Sequence, residues 1–168
     1  RKTHIGLDTE SFGLGIHDAL FSIIVADESQ SYYFNFLDTP DHMGGIANVI
    51  LKKKEVMPLL GKALNDKVFF MANAKFDMHK LLNEGIFLIG NIHDVLVVER
   101  LLRNDYIEYS LDAVAKRRGM KKDSSVEDYI AKHKLYTLIR IPGKKKLYKN
   151  KHYFKVPFSI MPRYGEID

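Results

Sequence analysis

Cysteine is absent from this 168-residue chain. That excludes disulfides, thiolate zinc sites and a cysteine nucleophile, and it fits a reducing compartment. Long apolar runs are absent too. A membrane span needs roughly 18 consecutive apolar residues, whereas the longest patches here, such as Phe21 to Ala26 and Val68 to Ala72, are strand-sized. The chain opens on Arg1-Lys2-Thr3-His4 and runs straight into an alternating segment, with no secretory signal. A cytoplasmic protein without a membrane partner is therefore expected. The chain lacks an initial Met and stops abruptly at Asp168, as expected of a fragment of a longer protein. There is no internal repeat and no clean linker, so residues 1–168 read as one domain. With 46% hydrophobic residues it can bury a sizeable core.

Acidic residues are absent from one stretch. Arg140 to Lys155 holds six Lys, one Arg and no acid, a local charge of +7 within a net charge of +5, which leaves the remainder at −2. Such a block is either a solvated loop or hairpin, or a track for a polyanion. Its cations alternate with Tyr148, Tyr153 and Phe154, and Pro142-Gly143 can form a turn. Cations interleaved with aromatics suit a single nucleic-acid strand, so Lys144, Lys145 and Lys146 are candidate contacts.

The patterning predicts strands over Thr3–Asp8, Leu20–Asp27 and Ser31–Phe36 as an antiparallel meander. A turn at Asp38–Asp41 leads to helical spacing over Ile46–Leu51 and Val56–Leu64, with Pro58 near a helix start. A buried strand over Lys67–Ala72 and a helix ending near Gly85 follow. Next come a strand over Phe87–His93 and a helix over Val95–Leu102. Ser110 caps a helix stopping at Gly119, and another runs from Ser124 or Ser125 to about His133. A last helical stretch covers Ser159 to Asp168. Strands first, then strands alternating with helices, imply a mixed sheet flanked by helices.

Three elements carry carboxylates. In Asp8-Thr9-Glu10, at the end of the first strand, the two acids are i and i+2 and share a face. Neighbouring carboxylates repel unless cations or protons neutralise them, and hard divalent cations take such oxygen ligands. In Asn73-Ala74-Lys75-Phe76-Asp77, Asp77 falls in a first helical turn, where the helix dipole favours an acid. Asn73 either caps that helix or contacts substrate. In Tyr164-Gly165-Glu166-Ile167-Asp168, Tyr164 and Asp168 share a helix face as i and i+4. Each element alone has a bland reading as surface or capping residues. Asp94 reads as a helix cap or turn acceptor. His79 and His93 read as surface and packing residues rather than zinc ligands.

Taken together, Gly6-Leu7-Asp8-Thr9-Glu10, Asn73-Ala74-Lys75-Phe76-Asp77 and Tyr164-x-x-x-Asp168 resemble motifs I, II and III of the DEDD 3′–5′ exonucleases, Tyr subclass. His93-Asp94-Val95, Arg100-Leu101-Leu102 and Tyr109-Ser110-Leu111-Asp112-Ala113-Val114-Ala115 are similar to the linking segment of family A DNA polymerase proofreading domains. Val156-Pro157-Phe158-Ser159-Ile160-Met161 is similar to the approach to motif III in phage-type members. The resemblance covers nearly the whole chain.

It implies an α/β, ribonuclease-H-like (DnaQ-like) fold with a mixed five-stranded sheet flanked by helices. It implies two divalent ions, Mg²⁺ or Mn²⁺, held by Asp8, Glu10, Asp77 and Asp168, with Tyr164 orienting the attacking water. An unperturbed Tyr has a pKa of about 10, too high for a free base. Thr9, Phe12 and Leu14, following motif I, are candidates to wedge the terminal nucleotide, although Phe12 and Leu14 serve equally as core. The implied substrate is the 3′ end of single-stranded or frayed DNA. The implied partner is a polymerase domain in the same chain, in a bacterial or phage-infected cell. Two alternatives are a free-standing or helicase-linked Tyr-subclass nuclease acting on RNA or DNA, and a non-catalytic nucleic-acid-binding module.

Overall fold

A computed structural model describes residues 3–37, 50–120, 123–140, 143 and 145–162. The turn expected at Asp38–Asp41, most of the helix expected over Ile46–Leu51, and Lys144, Tyr164 and Asp168 lie outside the described residues.

Five strands form one sheet: β1 (His4–Ser11), β2 (Leu20–Ala26), β3 (Ser31–Asn35), β4 (Lys67–Met71) and β5 (Gly90–Asp94), in the order β3-β2-β1-β4-β5. The meander β1-β2-β3 is antiparallel, while β4 and β5 add in parallel on the other side of β1. This is the mixed sheet expected from the sequence. Helices α1 (Lys53–Ala63) and α2 (Ala74–Asn83) flank it, followed by α3 (Val95–Leu102), α4 (Leu111–Arg117) and α5 (Ser125–Lys132). A separate antiparallel hairpin, β6 (Tyr136–Arg140) and β7 (Leu147–Lys151), ends in a short 3-10 helix at Tyr153–Lys155. Among the described residues no helix is long and apolar enough to cross a membrane.

The period-2 pattern of β1 divides the molecule. Ile5, Leu7 and Thr9 are buried on one face, and Asp8 and Glu10 alternate with them. On the Ile5–Leu7 face, Ile23, Phe69 and Met71 pack with Met57 and Leu60 of α1 and Leu81 of α2. A second cluster joins Phe21 to Val126 and Ile130 of α5, with Val156 and Met161 beyond them. Each fully buried side chain of this kind contributes roughly 1.5–3 kcal/mol. The bulge after Glu10 makes both clusters possible. Glu10 pairs with Ser22 but Ser11 pairs with Leu20, so Phe21 is an extra residue. Leu20 then joins the first cluster and Phe21 the second.

Several boundaries differ from the sequence expectation. β1 does not stop at Asp8. It continues to Ser11 because β2 stays paired with it, so both acids sit inside a strand. Pro58 lies within α1 rather than at its start. The strand expected from Phe87 begins only at Gly90. There φ is +146° and a Cβ would come within 2.0 Å of the Lys67 carbonyl oxygen, so glycine alone lets β5 approach β4. The described part of the basic segment runs from Arg140, the last residue of β6, through β7 to the 3-10 helix, with Gly143 at φ +79° between the two strands.

Candidate active site

The sheet topology brings motif II to motif I. β1 and β4 are parallel neighbours, and α2 leaves the end of β4 through Asn73. Asp77, in the first turn of α2, is thereby delivered beside β1 and is 1% exposed. Its Oδ1 accepts two hydrogen bonds from Thr9, one from the main-chain N–H at 3.0 Å and one from the hydroxyl at 2.7 Å. Thr9 is itself 4% exposed, so this candidate substrate contact is turned toward Asp77.

Burial pushes the Asp77 carboxyl up to about 6. The Thr9 bonds oppose that rise and the charge of Asp94 adds to it. A carboxyl so desolvated favours a proton or a cation.

Asp8 and Glu10 project from the other face of β1. Asp8 pairs with Ile24, which pairs with Tyr33, so Tyr33 lies on the same face two strands away. Burial raises the Tyr33 phenol above its ordinary value. The Ser22 hydroxyl opposes this, and the carboxylates of Glu10 and Asp8 both add to it. Two negative charges are thus focused on one side of the sheet. Tyr33 escaped the sequence reading, since nothing in Ser31–Phe36 marks one tyrosine as the neighbour of residues 23 positions or more away.

Among the described residues, no three Asp, Glu or His side chains gather tightly enough to form a metal-holding group. Asp168 and Tyr164, expected at the site from the sequence, lie outside the described residues. The donors present are all carboxylate oxygens, with paired charge at Asp8 and Glu10 and a desolvated carboxyl at Asp77. That chemistry fits hard divalent cations such as Mg²⁺ or Mn²⁺.

Asp94 is a structural acid. Its side chain caps α3 by accepting from the N–H groups of Leu96 and Val97, and it also accepts from the N–H groups of Asn73 and Ala74 at the start of α2. Asn73 occupies the N-cap position of α2 at φ +62° and makes no side-chain cap bond. His93 stacks on Phe70, with ring centroids 5.3 Å apart.

The loop after motif I is held by a residue that sequence reasoning missed. Lys80, one turn beyond Asp77, is 1% exposed. Its Nζ donates to the carbonyls of Gly13 at 3.2 Å, Gly15 at 2.6 Å and Asp18 at 2.8 Å. Burial lowers its pKa, and Asp18 counters that. The ammonium also lies 5.0 Å from the Phe76 ring centroid. The loop so fixed presents Leu14, 76% exposed, to solvent, while Phe12 rests against Phe21 and Phe154 with centroids 5.5 and 5.2 Å away. A lysine at i+3 from an acid was the available signal, but on sequence alone it reads as a solvated helix residue. Lys145 and Lys146 are exposed at the hairpin turn.

A family model described as 3′–5′ exonuclease matches residues 1–151. No curated protein matches the chain. Among solved structures, Brucella melitensis NrnC bound to pGG is similar at TM-score 0.57 and 15% identity, covering 98% of this chain and 65% of that one. The same NrnC with bound Mg²⁺ is similar at TM-score 0.56 and 14% identity, again over 98% of this chain and 65% of that one. Escherichia coli RNase D, an exoribonuclease involved in structured RNA processing, is similar at TM-score 0.51 and 17% identity, over 75% of this chain and 30% of that one. The chain spans less than two thirds of each of these neighbours. At such identities the likeness is one of fold.

Proposed function

The chain belongs to the 3′–5′ exonuclease family, and on that premise we propose that it removes nucleotides from the 3′ end of a single nucleic-acid strand by metal-dependent hydrolysis. The observation that carries this reading is the tie between motifs I and II: Thr9, placed between Asp8 and Glu10, holds Asp77 through two hydrogen bonds.

In this reading Asp8, Glu10, Asp77 and Asp168 hold two divalent ions. When bound, such ions lower the pKa of the attacking water and offset the charge that develops at the phosphate and the leaving oxygen. Asp8 and Glu10 present adjacent carboxylates from a rigid strand, so their spacing is fixed before any ligand arrives. Thr9 fixes the Asp77 carboxyl through its two bonds to Oδ1. Tyr164 orients the water, and Leu14 on the Lys80-held loop meets the terminal nucleotide.

The substrate reading favoured here is RNA, handled by a nuclease that need not be joined to a polymerase. Its support is the fold shared with RNase D, named as an exoribonuclease, and with NrnC bound to pGG. The second reading is a proofreading domain acting on a DNA 3′ end with a polymerase domain in the same chain. Its support is the likeness of Tyr109 to Ala115 and the neighbouring segments to family A polymerases.

The deciding experiment offers 5′-labelled single strands of RNA and DNA of the same sequence with Mg²⁺ or Mn²⁺. Stepwise shortening from the 3′ end is expected, faster on RNA. Faster shortening of DNA selects the proofreading reading. Strand binding with no shortening of either substrate overturns both in favour of a non-catalytic module.

A further inference from the structure

Strand β7 and Tyr153, within the +7 segment, form a defined wall of the candidate site. A cleft of about 260 Å³ lies against it, lined on one side by Glu10, Leu14 and Phe76 and on the other by Lys149, Lys151 and Tyr153. The base of the hairpin is anchored. The His152 N–H donates to the Leu135 carbonyl at 2.9 Å, and the Phe154 ring lies 5.2 Å from that of Phe12. The separation of the β7 lysines from motif I is therefore set by packing.

The two lysines are held in ways that keep their charge available. The Lys149 ammonium sits 4.5 Å from the centroid of the Tyr136 ring, a π face that orients a cation without neutralising it. Lys151 lies 3.4 Å from Glu127 Oε1 on α5, a long and partly exposed pair of little strength that a stronger anion can replace. The cleft thus sets two lysines across from the Glu10 carboxylate. A polyanion fits such a cleft when its reacting group is taken up beside Glu10 while its remaining charge meets the lysines.

We propose that Lys149 and Lys151, on the inner strand of the hairpin, grip the phosphate backbone of the strand being degraded as it enters the site beside Glu10. The tip lysines Lys145 and Lys146, exposed at the hairpin turn, stand apart from this grip. The inference rests on the hydrolase reading above, with a single nucleic-acid strand as ligand.

The test uses the full chain carrying Asp8→Ala, so that the strand is not consumed. Fluorescence anisotropy follows binding of a labelled ten-nucleotide single strand across a salt series. Adding Lys149→Gln with Lys151→Gln is expected to weaken binding about tenfold at low salt. It should also flatten the slope of log K against log salt by about 1.4, since each single-strand phosphate contact contributes roughly 0.7. The Lys144→Gln, Lys145→Gln, Lys146→Gln variant is expected to change the slope less. Glu127→Gln is expected to tighten binding, because it frees Lys151 for phosphate.

Affinity and slope unchanged in the double variant, or the whole effect residing in the tip variant, overturns the proposal. A parallel assay with Asp8 intact uses bis(p-nitrophenyl) phosphate, a diester too small to reach the lysines. Its hydrolysis is expected to survive the double substitution. Failure of the parent to hydrolyse any diester counts against the hydrolase reading, whereas the anisotropy still decides the role of the two lysines.

Discussion

Thr9 donates twice to one oxygen of Asp77, across 68 positions of sequence, and so fastens the second carboxylate motif to the backbone of the first. The tie uses the one residue of Asp8-Thr9-Glu10 that faces the α2 side of β1. Hydrogen bonds to a charged acceptor contribute about 1.5–3 kcal/mol. Thr9→Val keeps the shape and the N–H but loses the hydroxyl. It is expected to destabilise the fold by about 1–2 kcal/mol in chemical denaturation and to lower turnover more than strand affinity. Thr9→Ser should restore both. Loss of affinity alone in Thr9→Val would mean that Thr9 serves the substrate and not Asp77.

The acids are expected to carry the chemistry and not the fold. Asp8→Ala should nearly abolish hydrolysis, as should excess chelator. The metal-free variant should be at least as stable as the parent, because Asp8 and Glu10 repel when no cation lies between them. Full activity in Asp8→Ala or in chelator contradicts the metal-dependent reading.

Tyr164→Phe removes only a hydroxyl. If that hydroxyl orients the water, turnover falls about 10- to 1000-fold, equivalent to about 1.4–4 kcal/mol of barrier, with strand binding little changed. A loss of binding at unchanged turnover would place Tyr164 on the substrate instead.

The raised pKa of Asp77, about 6 against an ordinary 3.8, gives a signed dependence of stability on pH in the absence of metal. Between those values the folded protein holds more proton than the unfolded chain, so stability is greatest below pH 4 in this one contribution and is lost as pH rises through 6. The shift corresponds to at most about 3 kcal/mol. Thermal melts of Asp77→Asn should lack that fall. Added Mg²⁺ should stabilise the parent more at pH 7 than at pH 5, because a proton and a cation compete for the same carboxyl. Melts of parent and Asp77→Asn with identical pH dependence would remove the basis for this expectation.

Lys80 is expected to act on the loop from Phe12 to Asp18. Lys80→Met keeps the apolar stem and strips the donor from the carbonyls of Gly13, Gly15 and Asp18. Stability should drop by roughly 1–3 kcal/mol. Limited proteolysis should cut first between Phe12 and Asp18, and KM for single strands should rise more than kcat falls. Unchanged proteolysis would show that the loop holds itself through the Asp18 bond to the Gly15 N–H at 2.7 Å.

Local chemistry written in short spans was legible in the sequence. Alternation in His4–Ser11, the β-branched and aromatic runs of β2 and β3, Ser110 and Asp94 as caps, and the first two carboxylate motifs all depend on neighbours within a few positions. Fold class and the candidate acids followed from them. Boundaries that depend on pairing were less legible. β1 extends to Ser11 because β2 continues beside it, and β5 starts at Gly90 because only there does the backbone clear Lys67.

Juxtaposition belonged to the tertiary structure alone. Side chains that pair across 62 to 68 positions, Thr9 with Asp77 and Lys80 with the Gly13–Asp18 loop, leave no periodic trace in the chain. Burial decided their character. The same Lys80 that composition counts as one more surface cation becomes a desolvated clamp, and Asp77 becomes a carboxyl with a raised pKa. The sequence supplied the charge of the Arg140–Lys155 segment. Only the folding of that segment into a hairpin anchored on Phe12 turned Lys149 and Lys151 toward the cleft beside Glu10, because charge is a property of residues and a binding wall is a property of where packing sets them.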